Sequence, residues 1–254
     1  MTQAIAFPRA AGPAAVVDAI SNAANRTGVD FSYLLANARA ESGLDPMARA
    51  RTSSASGLFQ FTDATWLATI ARHGEKHGLG WAADALKGGA TGAVKQTILS
   101  LRHNADVAAT MAAEFTRDNA AKLEGALGRA AGSADLYLAA FFGAGGAVRF
   151  LKTMAAAPGM AAASLLPAAA AANQSTFFHA DGSARSLAEV HELVSRRINK
   201  FMAPAAVHSP PAAVHWPAAA GSNLPAAGSI LPQNDPALTA ARARMAYLVL
   251  AAMS

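Results

Sequence analysis

The sequence predicts an all-α fold, and two features of its residues predict it. Hydrophobic types make up 53% of the 254 residues, much of that share is alanine, the strongest helix former, and strand-forming residues are sparse. Apolar residues also recur at helical spacing, as Val16, Val17 and Ile20 do within residues 14–25. Leu, Ile, Val and Phe thin out after about residue 157, so we expect the main core in the first part of the chain.

A second helix is predicted to begin after Asp30, because an aspartate there can accept a hydrogen bond from the first turn. Gly43 stands where this helix would end, and Pro46 prevents its continuation. Glu41 is therefore predicted to lie in the last turn of a core helix. The predicted apolar face of the helix consists of Phe31, Leu34, Leu35 and Ala38.

The next elements follow from composition and periodicity. Residues 47–57 are small and polar and predict a loop, and residues 58–72 predict a helix capped by Thr62 or Asp63, with Trp66 and Ile70 facing inward. Residues 73–92 are rich in Gly and His and predict an irregular excursion. Further helices are predicted in two segments, residues 93–124 (one or two helices) and residues 133–156.

The composition changes near Pro158, and we expect a Pro/Ala-rich C-terminal extension that carries additional helices. Within residues 181–202, Ser186 and Glu189 form a capping-box pattern at the start of an amphipathic helix. The predicted division of the chain is an N-terminal tail (1–13), a main helical domain (14–156), an Ala/Pro-rich spacer (157–180), the segment with the amphipathic helix (181–202), a Pro-rich linker (203–235) and an apolar C-terminal helix (236–254).

Charge and cysteine usage exclude several functions. The formal net charge is +5, without a Lys/Arg run of the kind that binds nucleic acid. The absence of cysteine excludes disulfides, thiolate metal sites and a cysteine nucleophile. The first residues, MTQAIAFPRA, do not resemble a Sec signal peptide, and no stretch of ~18 purely apolar residues predicts a transmembrane span.

Two short blocks carry the chemistry. The first, ESGLDP, occupies residues 41–46, and the second, SASGLFQ, occupies residues 54–60 and is followed by Thr65. They place a carboxylic acid at a helix end, next to a glycine turn with apolar neighbours. A glutamic acid partly enclosed by apolar groups has a raised pKa and can donate its proton to a glycosidic oxygen. This arrangement is typical of glycoside cleavage.

These blocks resemble the motifs of the lytic transglycosylase family, the soluble-type, lysozyme-like enzymes of bacterial cell walls. The family's Glu-Ser followed by Asn/Asp-Pro matches residues 41–46, and its Gly-Leu-Met-Gln appears here as Gly-Leu-Phe-Gln at residues 57–60. The family's threonine, five residues past the glutamine, matches Thr65. The resemblance covers roughly residues 14–156, and it implies a lysozyme-like helical catalytic domain.

The third family motif, Ala-Tyr-Asn-Ala-Gly-Pro-Gly, is only loosely echoed by residues 140–146. The family's tyrosine, whose hydroxyl lies near the catalytic acid, falls on Phe141, and its asparagine falls on Phe142. Phenylalanine cannot donate that hydrogen bond. Either another group tunes Glu41, or the alignment is shifted and Tyr137 supplies the hydroxyl.

The resemblance implies that Glu41 is the single catalytic residue and that peptidoglycan glycan strands are the substrate. Glu41 would protonate the oxygen between N-acetylmuramic acid and N-acetylglucosamine, and its carboxylate would then deprotonate the muramic acid 6-hydroxyl, which closes a 1,6-anhydro ring. No cofactor and no metal are expected. The residues expected to orient Glu41 or contact the glycan are Ser42, Ser54, Phe59, Gln60, Thr65, Tyr137 and Phe141.

Two histidines and the cellular location complete the expectations. His73 and His77 stand four residues apart, as zinc ligands on a helix would, but Gly74 and Gly78 interrupt any such helix, so we interpret both as solvated loop residues.

The substrate implies work in the periplasm or at the cell wall. Because no Sec signal is visible, a secretion or flagellar apparatus is a possible export route and protein partner, reached through the C-terminal extension.

Two alternatives stay open at this point. A goose-type-lysozyme-like hydrolase (muramidase) on the same fold would need a second group to place a water, and Asp45, Asp63 and Glu114 are the candidates. A non-catalytic wall-binding or assembly protein would also explain the altered third motif.

Overall fold

The structure, a computed structural model, describes residues 12–51 and 53–202. Over these residues it contains α-helices, two short 3-10 helices and isolated β-bridges, without a strand, as the composition predicts. The 3-10 helices are Glu75–His77 and Leu101–His103. The α-helices are α1 (Pro13–Thr27), α2 (Phe31–Ser42), α3 (Asp63–His73), α4 (Gly80–Lys87), α5 (Gly92–Ser100), α6 (Ala105–Leu127), α7 (Ser133–Ala156), α8 (Ala162–Leu165), α9 (Pro167–Ala172), α10 (Gln174–Phe177) and α11 (Leu187–Phe201).

The long helix α6 organises the core, because α1 and α7 both pack along it, and α11 packs against α7 and α2. Trp66 of α3 is fully buried, and its indole N–H donates to the carbonyl oxygen of Ile98 at 2.7 Å. A buried indole needs such a partner, so this bond fixes α3 against α5. The ring of Phe61 meets Trp66 edge to face at 5.2 Å.

The predicted ends of α2 are confirmed. Asp30 Oδ1 accepts a hydrogen bond from the backbone N–H of Tyr33 at 2.7 Å, which caps the first turn. Gly43 ends the helix in the left-handed conformation, with φ 63°. The predicted apolar face is wrong at Phe31, which is 36% exposed, because the helix buries Tyr33 instead at its N-terminal end.

Residues 73–92 are more regular than predicted, because they contain a 3-10 helix and α4. Two glycines shape the turn: a Cβ at Gly74 would stand 2.6 Å from the carbonyl oxygen of Ile70, and Gly78 has φ 76°. The interpretation of the two histidines as solvated is wrong. The side chains of His73 and His77 are 12% and 16% exposed, because the turn folds them onto α6.

In place of the predicted spacer, residues 157–180 contain α8, α9 and α10, and Ala162, Leu166 and Phe177 belong to the same hydrophobic core as the earlier helices. These short helices pack on one another, and Arg149 of α7 donates a hydrogen bond to the carbonyl oxygen of Leu165. The ring of Phe177 lies 6.1 Å from that of Phe142. The core therefore continues beyond residue 156 without interruption.

The predicted helix after Ser186 is confirmed as α11, with its capping box. The Ser186 hydroxyl accepts from the Glu189 N–H at 3.2 Å, and the Glu189 carboxylate accepts from the Ser186 N–H at 2.8 Å. The apolar face of α11, which includes Val190, Val194 and Ile198, is buried. The predicted linker (203–235) and C-terminal helix (236–254), like most of the N-terminal tail, lie outside the described residues.

One helix in the described part of the chain, Ser133–Ala156, is long and apolar enough to cross a membrane by length and composition. Half of its most apolar window is buried inside the protein, and the core helix of a soluble protein passes the same test.

A network of ion pairs joins α3 and the following 3-10 helix to α6. Its centre is Glu114, which is 2% exposed and accepts from Lys76 Nζ and His77 Nε2, both at 2.8 Å. Burial alone would raise the pKa of Glu114, but the hydrogen bonds from Lys76 and His77 and the charges of Lys76 and Arg117 outweigh burial and lower it. Glu114 is thus held as a carboxylate, and the network stabilises the fold only while it is ionised.

The network predicts a pH-dependent loss of stability in Glu114→Gln. A carboxyl with a lowered folded-state pKa contributes stability that is complete above its ordinary value and is lost as the pH falls through the folded-state value. At neutral pH the variant should lose about 1–3 kcal/mol of unfolding free energy. The difference should shrink as the pH falls below the ordinary carboxyl value of 4.5. Urea unfolding over this pH range measures both.

The control for this variant is Glu192→Gln. Glu192 has an exposed side chain, paired only at the surface with Arg196 at 3.6 Å, so its loss should change the unfolding free energy by less than about 0.5 kcal/mol. A Glu114→Gln deficit that stays constant down to acid pH would contradict the electrostatic account of the network.

Candidate functional site

Glu41 lies in the last turn of α2, as predicted, and its side chain forms part of the wall of a cleft. The residue is only 3% exposed. The cleft holds about 320 Å³ of space, including the part that opens to solvent. Its walls come from α2, from the end of the second sequence block with the residue after it, from α6 and from α7. The lining residues are Tyr33, Asn37, Glu41, Phe59, Phe61, Ala112, Phe115, Thr116, Asn119 and Ala140.

Helical periodicity builds two of these walls. On α2, Tyr33, Asn37 and Glu41 are spaced four residues apart, so they form one stripe along the helix. On α6 the lining residues at 112, 115, 116 and 119 form a similar stripe. The cleft is therefore the space between two facing helix stripes.

The surroundings of Glu41 combine aromatic rings with amides. Phe61 and Phe115 meet edge to face at 5.8 Å, and Phe59 completes an apolar wall. Asn37 and Asn119 are 8% and 4% exposed, and Asn37 Oδ1 is buried without a hydrogen bond from any described residue. Amides that border a cleft can hydrogen-bond the hydroxyl and acetamido groups of a sugar.

The second sequence block forms a tight turn that is tied to α2. Gly57 has φ 79°, and a Cβ on it would stand 2.3 Å from the carbonyl oxygen of Arg102, so only glycine fits. Gln60 Nε2 donates to the carbonyl oxygens of Gly57 at 2.8 Å and Ala48 at 3.2 Å. The Ser42 hydroxyl donates to the carbonyl oxygen of Leu58 at 2.8 Å. These bonds hold the turn against the helix end that carries Glu41.

The residues that were expected at the site thus fall into two groups. Phe59 lines the cleft beside Glu41, whereas Ser42 and Gln60 use their donors on backbone carbonyls. Ser54 and Thr65 lie at the start of α3. The Ser54 hydroxyl accepts from the Asp63 N–H at 3.2 Å, and Thr65 shares a hydrogen bond with Thr62 at 3.0 Å. The structure therefore places Ser54 and Thr65 outside the cleft wall.

Tyr137, the alternative to Phe141, is fully buried on α7, and its hydroxyl lies within electrostatic reach of Glu41. Burial raises the pKa of Tyr137 strongly, the charge of Glu41 raises it further, and the nearby guanidinium of Arg197 opposes both. The phenol therefore stays protonated. Phe141 is 2% exposed and packs edge to face on Tyr137 at 4.7 Å, so it lies behind the tyrosine and does not line the cleft.

The glycines within residues 140–146, the counterpart of the third family motif, bend α7. Gly143 has φ 71° and ψ 158°, which interrupts the helix. A Cβ at Gly146 would stand 2.9 Å from the Cβ of Phe142, so the turn after the bend is closely packed. The bend lets Tyr137 and Phe150 both reach the core from one element.

The other candidate carboxylates are engaged elsewhere. Glu114 lies on the face of α6 turned toward the ion network, Asp63 pairs with Arg102 at 2.8 Å, and Asp45 Oδ1 accepts from the Met47 N–H at 2.8 Å. Among the described residues that line the cleft, Glu41 is the one carboxyl group. No group of three or more His, Cys, Asp or Glu side chains within residues 12–51 and 53–202 could hold a metal ion.

In a comparison with protein families, the family model described as Transglycosylase SLT domain matches residues 18–81. The match confirms the resemblance to the lytic transglycosylase family. It contains Glu41 and the turn at 57–60, and it supports a peptidoglycan substrate and lytic-transglycosylase-type activity in general. The matched segment ends before α6 and α7, which supply the opposite side of the cleft.

Sequence reasoning missed several residues of the cleft. Asn37 could have been found, because it lies one turn before Glu41 on the same helix stripe. Phe115 lies within the segment 93–124, which was predicted to be helical, and it also borders the cleft. Asn119 and Ala140 had no signal, since their approach to Glu41 depends on how α6 and α7 pack onto α2.

The turn geometry predicts that Gly57→Ala destabilises the protein. A Cβ would overlap the Arg102 carbonyl oxygen, and φ 79° is unfavourable for alanine. We expect a loss of at least about 2 kcal/mol of unfolding free energy, measured by urea titration. The matched control is Gly125→Ala in α6, where a Cβ meets nothing within 4 Å and helix propensity should add up to about 1 kcal/mol. Equal stability of the two variants would contradict the steric argument.

Proposed function

We propose that this protein is a peptidoglycan lytic transglycosylase in which Glu41 acts first as general acid and then as general base. The observation that carries the proposal is the position of Glu41. It is a buried carboxyl group, it borders a cleft between α2 and α6, and it lies inside the segment that matches the SLT family. A general acid needs this combination of a protected proton and access to substrate.

The proposed reaction uses Glu41 twice. Its proton goes to the oxygen that joins N-acetylmuramic acid to N-acetylglucosamine, and the β-1,4 bond breaks as an oxocarbenium-like centre forms. The substrate's own N-acetyl group stabilises that centre. The Glu41 carboxylate then takes the proton of the muramic acid 6-hydroxyl, and the 6-oxygen bonds to the anomeric carbon. The product is a 1,6-anhydro end, no water is consumed, and Glu41 is protonated again.

The remaining cleft residues have roles that follow from their chemistry. The amides of Asn37 and Asn119 are suited to hydrogen-bond sugar hydroxyl or acetamido groups, and Phe59 and Phe115 offer apolar surface to a pyranose ring. The Tyr137 hydroxyl, which lies near Glu41, replaces the hydroxyl that the third family motif would supply from position 141.

Hydrolysis on the same fold is the second candidate. It needs a group that activates water on the opposite face of the sugar. Asp45, Asp63 and Glu114 are all engaged away from the cleft, which favours transglycosylation. A non-catalytic wall-binding role is the third candidate, and its motive is the presence of Phe141 and Phe142 in the altered third motif.

Product analysis separates the three candidates. Digestion of purified sacculi should release anhydro-muropeptides detectable by mass spectrometry, and Glu41→Gln should lower their yield by at least about 10²-fold because no proton can be donated. The isosteric control is Glu75→Gln, at a side chain that is 79% exposed, which should keep full activity. Reducing ends as the main product would mean hydrolysis, and sacculus binding without soluble products would mean a non-catalytic protein.

We also propose that the protein acts in the periplasm or at the cell wall and that residues 203–254 address it to a partner protein of a secretion or flagellar apparatus. The support is the substrate class together with a proline-rich segment followed by the apolar residues 245–253. A run this apolar needs a surface to cover it, either on the rest of the chain, on a partner or at the membrane.

Removal of residues 237–254 tests this proposal. Activity on isolated sacculi and the melting temperature should be unchanged, whereas fractionation of cells with tagged protein should find less of the variant at the wall. A melting temperature several degrees lower, with reduced activity, would mean that the segment is part of the folded enzyme. Full-length protein found only in the cytosol would contradict the proposed location.

A further inference from the structure

Helix α11 brings a cation to the Glu41 site from outside the segment that matches the family. It begins at Leu187, more than a hundred residues past the end of the match at residue 81. Its buried residues Val190, Val194 and Ile198 pack it against α7 and α2. At its C-terminal end, Arg39 Nη1 of α2 donates to the carbonyl oxygen of Phe201 at 3.5 Å. α11 is therefore held on the two helices that carry Tyr137 and Glu41.

Two neighbouring arginines of α11 have opposite surroundings. Arg196 points to solvent, with a side chain 72% exposed and a surface pair to Glu192. Arg197 is partly buried, its Nε is shielded from solvent, and its guanidinium faces the Tyr137 hydroxyl closely enough to lower the pKa of that phenol. Of these two arginines, Arg197 therefore lies beside Tyr137, whereas Arg196 lies at the surface.

The Tyr137 hydroxyl is the point where these groups converge. Glu41 and Tyr33 from α2 and Arg197 from α11 all act on it, and the Arg197 guanidinium is close enough to hydrogen-bond the buried hydroxyl. A guanidinium can only donate, and a phenol carries a single proton. If the phenol oxygen accepts from Arg197, its proton is left for an acceptor on α2, and the carboxyl group of Glu41 is a stronger acceptor than the Tyr33 hydroxyl.

We propose that Arg197 is a positioning residue of the Glu41 site, which acts through the Tyr137 hydroxyl and also stabilises the Glu41 carboxylate after proton transfer. This inference rests on the proposed function and extends it. The catalytic unit then includes α11, so a protein truncated after residue 156 would lack Arg197 and its effect on the site. The titratable groups that act on the Tyr137 hydroxyl are Glu41, Tyr33 and Arg197, and none of the cleft residues from the turn and from α6 titrates.

The pH profile of the turnover rate tests this role. Loss of a nearby positive charge makes the carboxylate less favourable, so in Arg197→Met the alkaline limb should move up by roughly half to one pH unit, and kcat should fall about tenfold or more. Arg197→Lys keeps the positive charge but lacks the planar set of guanidinium N–H donors. It should therefore restore the position of the alkaline limb and part of kcat. Arg196→Met is the matched control and should change neither.

A second control separates positioning from packing. Ile198→Ala removes a fully buried side chain from the same helix without changing any charge, so it should lower the melting temperature yet leave the alkaline limb in place. If it moves the limb as far as Arg197→Met does, Arg197 is merely structural and the inference is wrong. In a Tyr137→Phe background, Arg197→Met should cost much less activity, because the two residues act as one unit.

A titration that needs no turnover keeps the inference separate from the proposed activity. The side-chain carboxyl of Glu41 can be followed by NMR in protein labelled with ¹³C-glutamate and assigned with Glu41→Gln. Its midpoint should rise in Arg197→Met and stay unchanged in Arg196→Met. A wild type that releases no muropeptide products would end the functional proposal, while this titration would still decide the inference. A midpoint equal to that of the wild type in Arg197→Met would overturn it.

Discussion

The burial of one carboxyl group at the C-terminal end of α2 is the constraint on which the rest of the site depends. Two effects oppose it: a carboxylate loses its hydration inside a protein, and the last turn of a helix already carries partial negative charge. Glu41 is 3% exposed in just that position. The surrounding structure must therefore supply what water and a favourable dipole would otherwise give.

Three parts of the chain meet this requirement in different ways. Gly43 ends α2 directly after Ser42, and the Ser42 hydroxyl ties this helix end to the turn at residues 57–60. α7 brings the Tyr137 hydroxyl, and α11 brings the Arg197 guanidinium. The site is thus assembled from elements that lie far apart in sequence, and the core that joins them continues into α11.

The chemistry-bearing residues near the two sequence blocks could be predicted because local signals define them. Asp30, Gly43 and Gly57 each occupy a backbone position that favours their residue type, so the helix end and the turn are readable from the sequence. Donors such as those of Ser42 and Gln60 are harder to assign. The same side chain can bind a sugar or a backbone carbonyl, and spacing does not distinguish the two.

What the sequence could not predict depends on tertiary packing. Alanine-rich residues 157–180 have the composition of a spacer, yet in the fold Ala162, Leu166 and Phe177 are buried in the same hydrophobic core as the earlier helices. Arg196 and Arg197 are neighbours on an amphipathic helix, and the sequence alone does not distinguish their surroundings. Only the packing of α11 on α2 and α7 gives one of them a position beside Tyr137.

The two most deeply buried glutamates, Glu41 and Glu114, have opposite surroundings. Glu114 accepts hydrogen bonds from Lys76 and His77, and its pKa is lowered despite burial, so it holds its charge and ties helices together. Glu41 lies among aromatic rings and amides at the edge of a cleft. A carboxyl group surrounded by cations gives up its proton to solvent long before neutral pH, whereas one that borders apolar surface can retain it for a substrate. The properties of a buried glutamate on α2 and of one on α6 therefore differ because the neighbouring elements place different side chains beside each of them.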